Sequence, residues 1–203
     1  MVDKRSSKKV IDNLKKWSND VLHSSDRVWA GIDPGLNGAV AFVDENGSGF
    51  VISTPTYTVK KGKKQKREYD IESMILCILP FAKKNVVFCQ ELTHAMPGNG
   101  NVSMYSFGRG HGLWEGIVSA LNMPLMFTSP QQWKKSYPSL INSIKPLSPK
   151  EKQQNKINSK KEAIILAGVM FPNCKNNISK LADDGKAEAL LIANHCMNTF
   201  KGR

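Results

Sequence analysis

The sequence predicts an α/β domain built on a mixed five-stranded sheet flanked by helices. Two observations carry this. Between residues 28 and 58, three apolar runs are separated by tight-turn signals, which makes an antiparallel meander. Beyond residue 70 the pattern runs helix, strand, helix, strand, helices, which adds further strands and covers the sheet faces.

Residues 1–27 are polar, and only Val10, Leu14, Trp17 and Leu22 recur at roughly helical spacing. A short amphipathic helix in a disordered or loosely docked basic appendage is expected there. The domain proper spans 28–203. Residues 28–33 read as a strand, and Pro34-Gly35 and Asn37-Gly38 as turns. A second strand covers 39–43, Glu45-Asn46-Gly47 is the next hairpin turn, and 50–58 is the third strand. Residues 60–67 hold six basic residues in eight and are expected to form an exposed loop.

A helix is expected over 70–83, with Ile71, Met74, Ile75, Ile78 and Leu79 on one face and Pro80 distorting its last turn. Residues 86–90 form a short buried strand that ends at Glu91. A Gly- and Asn-rich loop follows over 92–104, then a helix over 105–121. Gly108, Gly110, Gly112 and Gly116 in that helix imply close approach to another backbone, in this chain or in a partner. Residues 125–127 read as a strand, and Ser129-Pro130-Gln131-Gln132 as a capped helix start. A mobile loop is expected over 137–158. Ser159-Lys160-Lys161-Glu162 reads as a capping box opening a helix that stops before Pro172, and a last helix covers 184–199.

The chain has 203 residues and a formal charge of +12, from 29 Lys and Arg against 17 Asp and Glu. That excess favours a polyanionic partner, because cations that neutralise phosphates release condensed counterions. No apolar run approaches the roughly 20 residues of a membrane span, and no secretory signal is expected at the polar N-terminus. Cys77, Cys89, Cys174 and Cys196 are scattered without a CxxC pair, which fits reduced thiols in an intracellular compartment. A zinc site on Cys174, His195 and Cys196 fits no standard spacing.

The chemistry lies in carboxylates. Asp33 and Glu91 each close an apolar strand, where the backbone is rigid and the side chain reaches the sheet edge. Asp184 and Glu188 are four apart and share a helix face in an otherwise small, apolar segment. For any one of these acids alone, a solvent-facing strand end or a helix-dipole partner is the plainer explanation. Glu188 resists it, because Ala187, Ala189, Leu190 and Leu191 surround it. Four converging carboxylates need cations, and their oxygens suit Mg²⁺, with Mn²⁺ as a substitute. Two such ions hydrolyse phosphodiesters, and the basic segment with Lys60, Lys61, Lys63, Lys64, Lys66 and Arg67 then holds the nucleic-acid backbone.

Three segments carry a family resemblance: Gly31-Ile-Asp-Pro-Gly35, Val86-Val-Phe-Cys-Gln-Glu91 and Asp184-Gly-Lys-Ala-Glu-Ala-Leu-Leu-Ile-Ala193. Together, in order, they resemble the RuvC-like Holliday junction resolvases of the RNase H-like superfamily. Residues 94–116 and Thr128-Ser-Pro-Gln-Gln-Trp-Lys-Lys135 look like the branch that holds phage RuvC-like proteins and the plastid monokaryotic-chloroplast resolvase. Similarity runs from about 28 to 193. Bacterial RuvC usually spaces its last two acids one residue closer and has aspartate as the second, so the Asp184/Glu188 pair fits the plastid and phage branch better.

The resemblance implies an RNase H-like (RuvC-type) fold and Mg²⁺-binding Asp33, Glu91, Asp184 and Glu188. Asp183 competes with Asp184, but the residue before Gly185 matches the branch. The resemblance puts Lys134, with Lys135 beside it, near the scissile phosphate, and His94 and Met96 in a loop that probes bases at the junction centre. Phe107, Arg109 and Trp114 read as packing residues. It implies a homodimer making paired nicks across four-way junction DNA in recombination and repair, with no membrane role. It also implies a plastid nucleoid in a plant or alga, or the cytoplasm of an infected host. Two rivals stay open: a less selective RNase H-like nuclease on flaps, branched DNA or hybrids, and an inactive nucleic-acid-binding relative.

Overall fold

The computed structural model describes residues 4–24, 27–62, 64–92, 100–141 and 148–200. In chain order the elements are α1 (Lys4–Ser24), β1 (Val28–Asp33), β2 (Ala39–Asp44), β3 (Gly49–Ser53), β4 (Thr56–Lys61), β5 (Lys64–Tyr69) and α2 (Ile71–Ile78). They continue with β6 (Val86–Glu91), α3 (Asn101–Ala120), β7 (Leu125–Thr128), α4 (Pro130–Lys134), α5 (Pro149–Met170) and α6 (Asp184–Phe200). Among these residues no helix is long and apolar enough to cross a membrane.

Five strands form one mixed sheet in the order β3-β2-β1-β6-β7. β1, β2 and β3 are antiparallel neighbours, while β6 runs parallel to β1 and β7 parallel to β6. This is the mixed five-stranded, helix-flanked sheet that the element order predicts. Asp44 tightens the β2–β3 turn, its Oδ1 accepting from Asn46 N at 3.0 Å and Ser48 N at 2.7 Å.

Side chains alternate across a strand, so β1 and β2 feed two cores. Trp29, Ala39, Ala41, Val43 and Cys89 pack against α5 and α6. Val28, Ala30, Ile32, Val40, Phe42 and Phe88 pack against α1, α2 and α3. Burial on both faces is why these strands read as continuous apolar runs. All four cysteines are free and buried.

Several elements differ from the expectation. Residues 4–24 are one helix docked on the sheet, in place of the loose appendage. Ile11, Leu14 and Val21 are buried, and Trp17 Nε1 donates to Ser48 Oγ at 3.0 Å. The third strand stops at Ser53, and the chain then forms a separate hairpin in which β4 pairs with β5. The basic segment belongs to that hairpin, so backbone pairing orders what looked like a loop. Asp70 caps α2 by accepting from Ser73 N at 3.2 Å.

The inward face of α2 is Met74, Cys77 and Ile78, while Ile71, Ile75 and Leu79 are exposed. Helix α3 starts at Asn101, four residues earlier than expected. Helix α5 starts at Pro149, so the capping box is Ser148 with Glu151 and not Ser159 with Glu162. The mobile stretch expected over 137–158 is therefore partly helical, and Tyr137 and Leu140 are buried.

Candidate metal centre

The site begins with strand register. β1 and β6 are parallel, with Ile32 opposite Gln90, so Asp33 and Glu91 close adjacent strands at the same sheet edge. Both share the strand face of Trp29, Gly31 and Cys89, which is the face α6 covers.

Helix α6 lies on β1 with almost no spacing. A Cβ at Gly31 would stand 2.2 Å from Ala189 O and 2.3 Å from Ala193 N. A Cβ at Gly185 would stand 2.3 Å from Asn37 O and 2.9 Å from Asp33 Oδ2. Neither position admits a side chain without a backbone shift. The same contacts show that α6 runs opposite to β1, so its first turns reach the Asp33 end. Asp184 and Glu188, one turn apart, are thereby brought to the carboxylate of Asp33.

The electrostatics record the convergence. Burial holds the Asp33 carboxyl well above its ordinary range, and the charges of Glu188, Glu91 and Asp184 add to that, against the N–H of Gly35. Burial also pushes Glu91 from 4.5 up to about 6. The indole N–H of Trp133, 2.8 Å from Glu91 Oε1, and the charge of Lys134 pull it down, while Glu188 raises it further. Asp33 and Glu91 are thus both disfavoured as anions, first by burial and then by the charge of Glu188.

Two lysines supply part of that charge. Lys134 Nζ lies 3.2 Å from Glu188 Oε1 and 4.9 Å above the Trp133 ring. Lys160 Nζ, from α5, lies 2.5 Å from Asp184 Oδ2. Asp183 is engaged elsewhere: Lys186 Nζ is 2.7 Å from its Oδ1, and Lys180 N donates to its Oδ2 at 3.0 Å. The charge of Asp184 bears on Asp33, whereas Asp183 pairs with Lys186 and Lys180.

The donor set is four carboxylates and no sulfur or imidazole, which suits a hard divalent cation. Among the described residues, no three Asp, Glu, His or Cys side chains stand close enough to grip one ion as they are. Lys134 and Lys160 each pair with one carboxylate of α6. Asp33, Glu91, Asp184 and Glu188 are the residues that would close on a cation.

The other expected site residues are more scattered. Lys135 is exposed just beyond α4. Lys60, Lys66 and Arg67 are exposed on the hairpin, where Lys66 pairs with Glu68 at 2.7 Å and Arg67 contacts Asn37 Oδ1. The backbones of Lys61 and Lys64 pair within it, and their side chains lie outside the described residues. Lys63, His94 and Met96 also lie outside them. Trp114 is buried packing, whereas Phe107 is exposed and Arg109 pairs with Glu68.

Sequence reasoning missed two contacts to the acids. Lys160 lies inside a helix whose start was misplaced, and nothing local marks it. Trp133 sits beside Lys134 in a segment already singled out, so its indole N–H was a visible candidate.

No family model matches the chain, and no curated protein matches it. Among solved structures it is similar to Thermus thermophilus RuvC in complex with Holliday junction substrate, at 15% identity and a TM-score of 0.49. That similarity covers 87% of this chain and 96% of the other. It is also similar to a second T. thermophilus RuvC structure, at 15% identity and a TM-score of 0.44, over 85% of this chain and 96% of that one. The fold itself rests on the strand order and register above.

Proposed function

We propose that this protein is a Holliday junction resolvase of the RuvC-like kind, an Mg²⁺-dependent endonuclease that makes paired symmetric nicks in four-way DNA. The observation that carries the proposal is the meeting of Asp33, Glu91, Asp184 and Glu188, from three separate elements, at one sheet edge of a strongly basic chain. Burial and neighbouring acids hold Asp33 and Glu91 above their ordinary range, which favours cation binding there. When bound there, divalent ions supply Lewis acidity that activates water and stabilises the leaving oxygen of a phosphodiester.

The chain's own residues do the rest. Asp33 and Glu91 offer ligands from a rigid sheet, and Trp133 fixes the Glu91 carboxylate by its N–H. Gly31 and Gly185 let α6 deliver Asp184 and Glu188. Lys134 and Lys160, both partly exposed, offset negative charge on Glu188 and Asp184 and are available to a phosphate. The spacing of Asp184 and Glu188 supports the plastid and phage branch. The open faces of Gly108, Gly112 and Gly116, which meet nothing within 4 Å, support a homodimer through α3.

The test uses a synthetic four-way junction and a matched duplex, each with Mg²⁺ and with chelator. Symmetric, metal-dependent nicks in the junction alone are expected. Equal cutting of flaps or RNA–DNA hybrids would replace junction selectivity with a general RNase H-like activity. Binding without cutting at any Mg²⁺ concentration would refute the enzymatic reading.

A further inference from the structure

Beside the carboxylate cluster lies a second concavity that neither the acids nor the lysines account for. It has a volume of about 350 Å³, with β5 on one side and the first half of α3 on the other. That size falls within the roughly 300–1,000 Å³ of small-molecule sites. Leu36 lines it and is three residues past Asp33 in the same turn. The groove therefore lies along the turn that follows Asp33, whose charge acts on Tyr69 in its wall.

Three properties of its walls point to one kind of occupant. The first is aromatic. Tyr105 lines the groove and is 69% exposed, so its ring is open to a stacking partner. The second is charge. Lys66, Arg67 and Arg109 line the groove against a single acid, Glu68, which Lys66 and Arg109 both engage. Arg67 touches the neutral side chain of Asn37 and forms no ion pair among the described residues.

The third is the backbone. Asp70 N donates to Pro55 O, so in the β4–β5 register Glu68 and Lys66 bond across the hairpin. Gln65 and Arg67, which line the groove, then turn their N–H and C=O groups to the edge of β5 that β4 does not pair. Donors and acceptors in a row can pair with the polar edge of a base. An extended peptide could use the same edge, but the cationic flanks favour a polyanion.

We propose that this groove is a subsite for an unpaired nucleotide of the DNA strand. Its base stacks on Tyr105, its polar edge meets the β5 backbone, and its phosphate is held by Arg67. The proposal rests on the nuclease reading in one respect, that the bound nucleotide flanks the phosphate delivered to Asp33. Base stacking with backbone contact is tolerant of sequence, so the subsite selects unpaired over paired DNA and not one base over another.

The test is binding of a labelled single-stranded dT oligomer about 12 nucleotides long to the full chain carrying Asp33→Asn, which prevents cutting. Added Tyr105→Ala is expected to weaken binding by about 5- to 150-fold, the range for loss of one stacked base, while Tyr105→Phe binds as before. Arg67→Ala should reduce the slope of log affinity against log salt by about one. Tyr105 is exposed, so unchanged melting of its variants is expected and excludes a folding defect.

With 5-iododeoxyuridine in the oligomer, ultraviolet light should cross-link it to Tyr105. Equal binding by the Tyr105→Ala protein would overturn the proposal, whether or not junctions are cut. Displacement of the oligomer by a poly-glutamate peptide with equal dependence on Tyr105 would also overturn it. If the subsite behaves as expected while junctions stay intact, the subsite stands and the resolvase reading falls.

Discussion

Replacing Glu91 with glutamine should make the metal-free protein more stable and abolish its response to magnesium. The Glu91 carboxyl is pushed from 4.5 to about 6 by burial and by Glu188. At 1.36 kcal/mol for each pH unit, its ionised form is about 2 kcal/mol less favourable in the fold than in the unfolded chain. The folded state holds its proton more tightly, so the fold is favoured at low pH. Below pH 4.5 both states carry the proton and nothing is lost. From 4.5 through about 6 the unfolded chain releases it first and stability falls. Above that window the loss is constant, and the raised Asp33 carboxyl adds a fall in the same direction.

Glutamine carries no charge and keeps an oxygen for the Trp133 N–H. In chelator at pH 7.5 the variant should therefore melt about 4–8 °C above the wild type. Across pH 4.5 to 6 the wild-type curve should fall away from the variant's. Magnesium at a hundred times its Kd should raise wild-type stability by about 2.7 kcal/mol and leave the variant nearly unmoved. Thermal melts across pH, with and without Mg²⁺, measure all of this. A variant melting at or below the wild type in chelator, or an equal Mg²⁺ gain in both, would refute the reasoning.

Asp33→Asn should keep junction affinity and lose detectable cleavage, since it removes a ligand but leaves the basic surface intact; gel shift and nicking assays read the two separately. Gly185→Ala drives a methyl to within 2.3 Å of Asn37 O and 2.9 Å of Asp33 Oδ2, so a loss of about 1–3 kcal/mol and of cleavage is expected in melts and nicking assays. Changing both Lys63 and Lys64 to alanine should flatten the salt dependence of DNA binding by about two in slope, as measured by titrations at several salt concentrations. Gly112→Arg, on an open face of α3, should leave the melting curve unchanged yet shift the protein to a monomer in sedimentation if two copies meet there.

The parts of the site that could be read from sequence are those set by short-range rules. A strand-end acid before a Pro-Gly turn, and two acids four apart on a helix, need no knowledge of tertiary contacts. The parts that could not be read depend on what lies across space. The first half of α5 has no apolar residue before Ile157, so no periodicity reveals it, and both Ser148 and Ser159 satisfy the same capping pattern. Only Ser148 also has proline at the first helical position, and that was the usable signal. The β4–β5 hairpin is held by backbone pairing between strands rich in charge, which alternation of apolar residues cannot detect. Helix α1 has a visible stripe, but its stability comes from Phe42, Phe50 and Ser48 on the sheet.

Lys160 shows why such a site is only half visible. It meets Asp184 across 24 positions of sequence, through the packing of α5 on α6. That packing is set in turn by how tightly α6 lies on β1, and so by Gly31, Ala189 and Ala193. The alanines of α6 read as helix-forming filler, yet they are the condition for placing Asp184 and Glu188 at Asp33. A bulkier residue at any of these contacts would lift the helix, spread the four acids and relieve their mutual repulsion. The same change would stabilise the metal-free carboxylates and break up the proposed cation site. Close packing therefore maintains an electrostatic strain that the fold would otherwise shed, and the lysines at 134 and 160 moderate it without abolishing it.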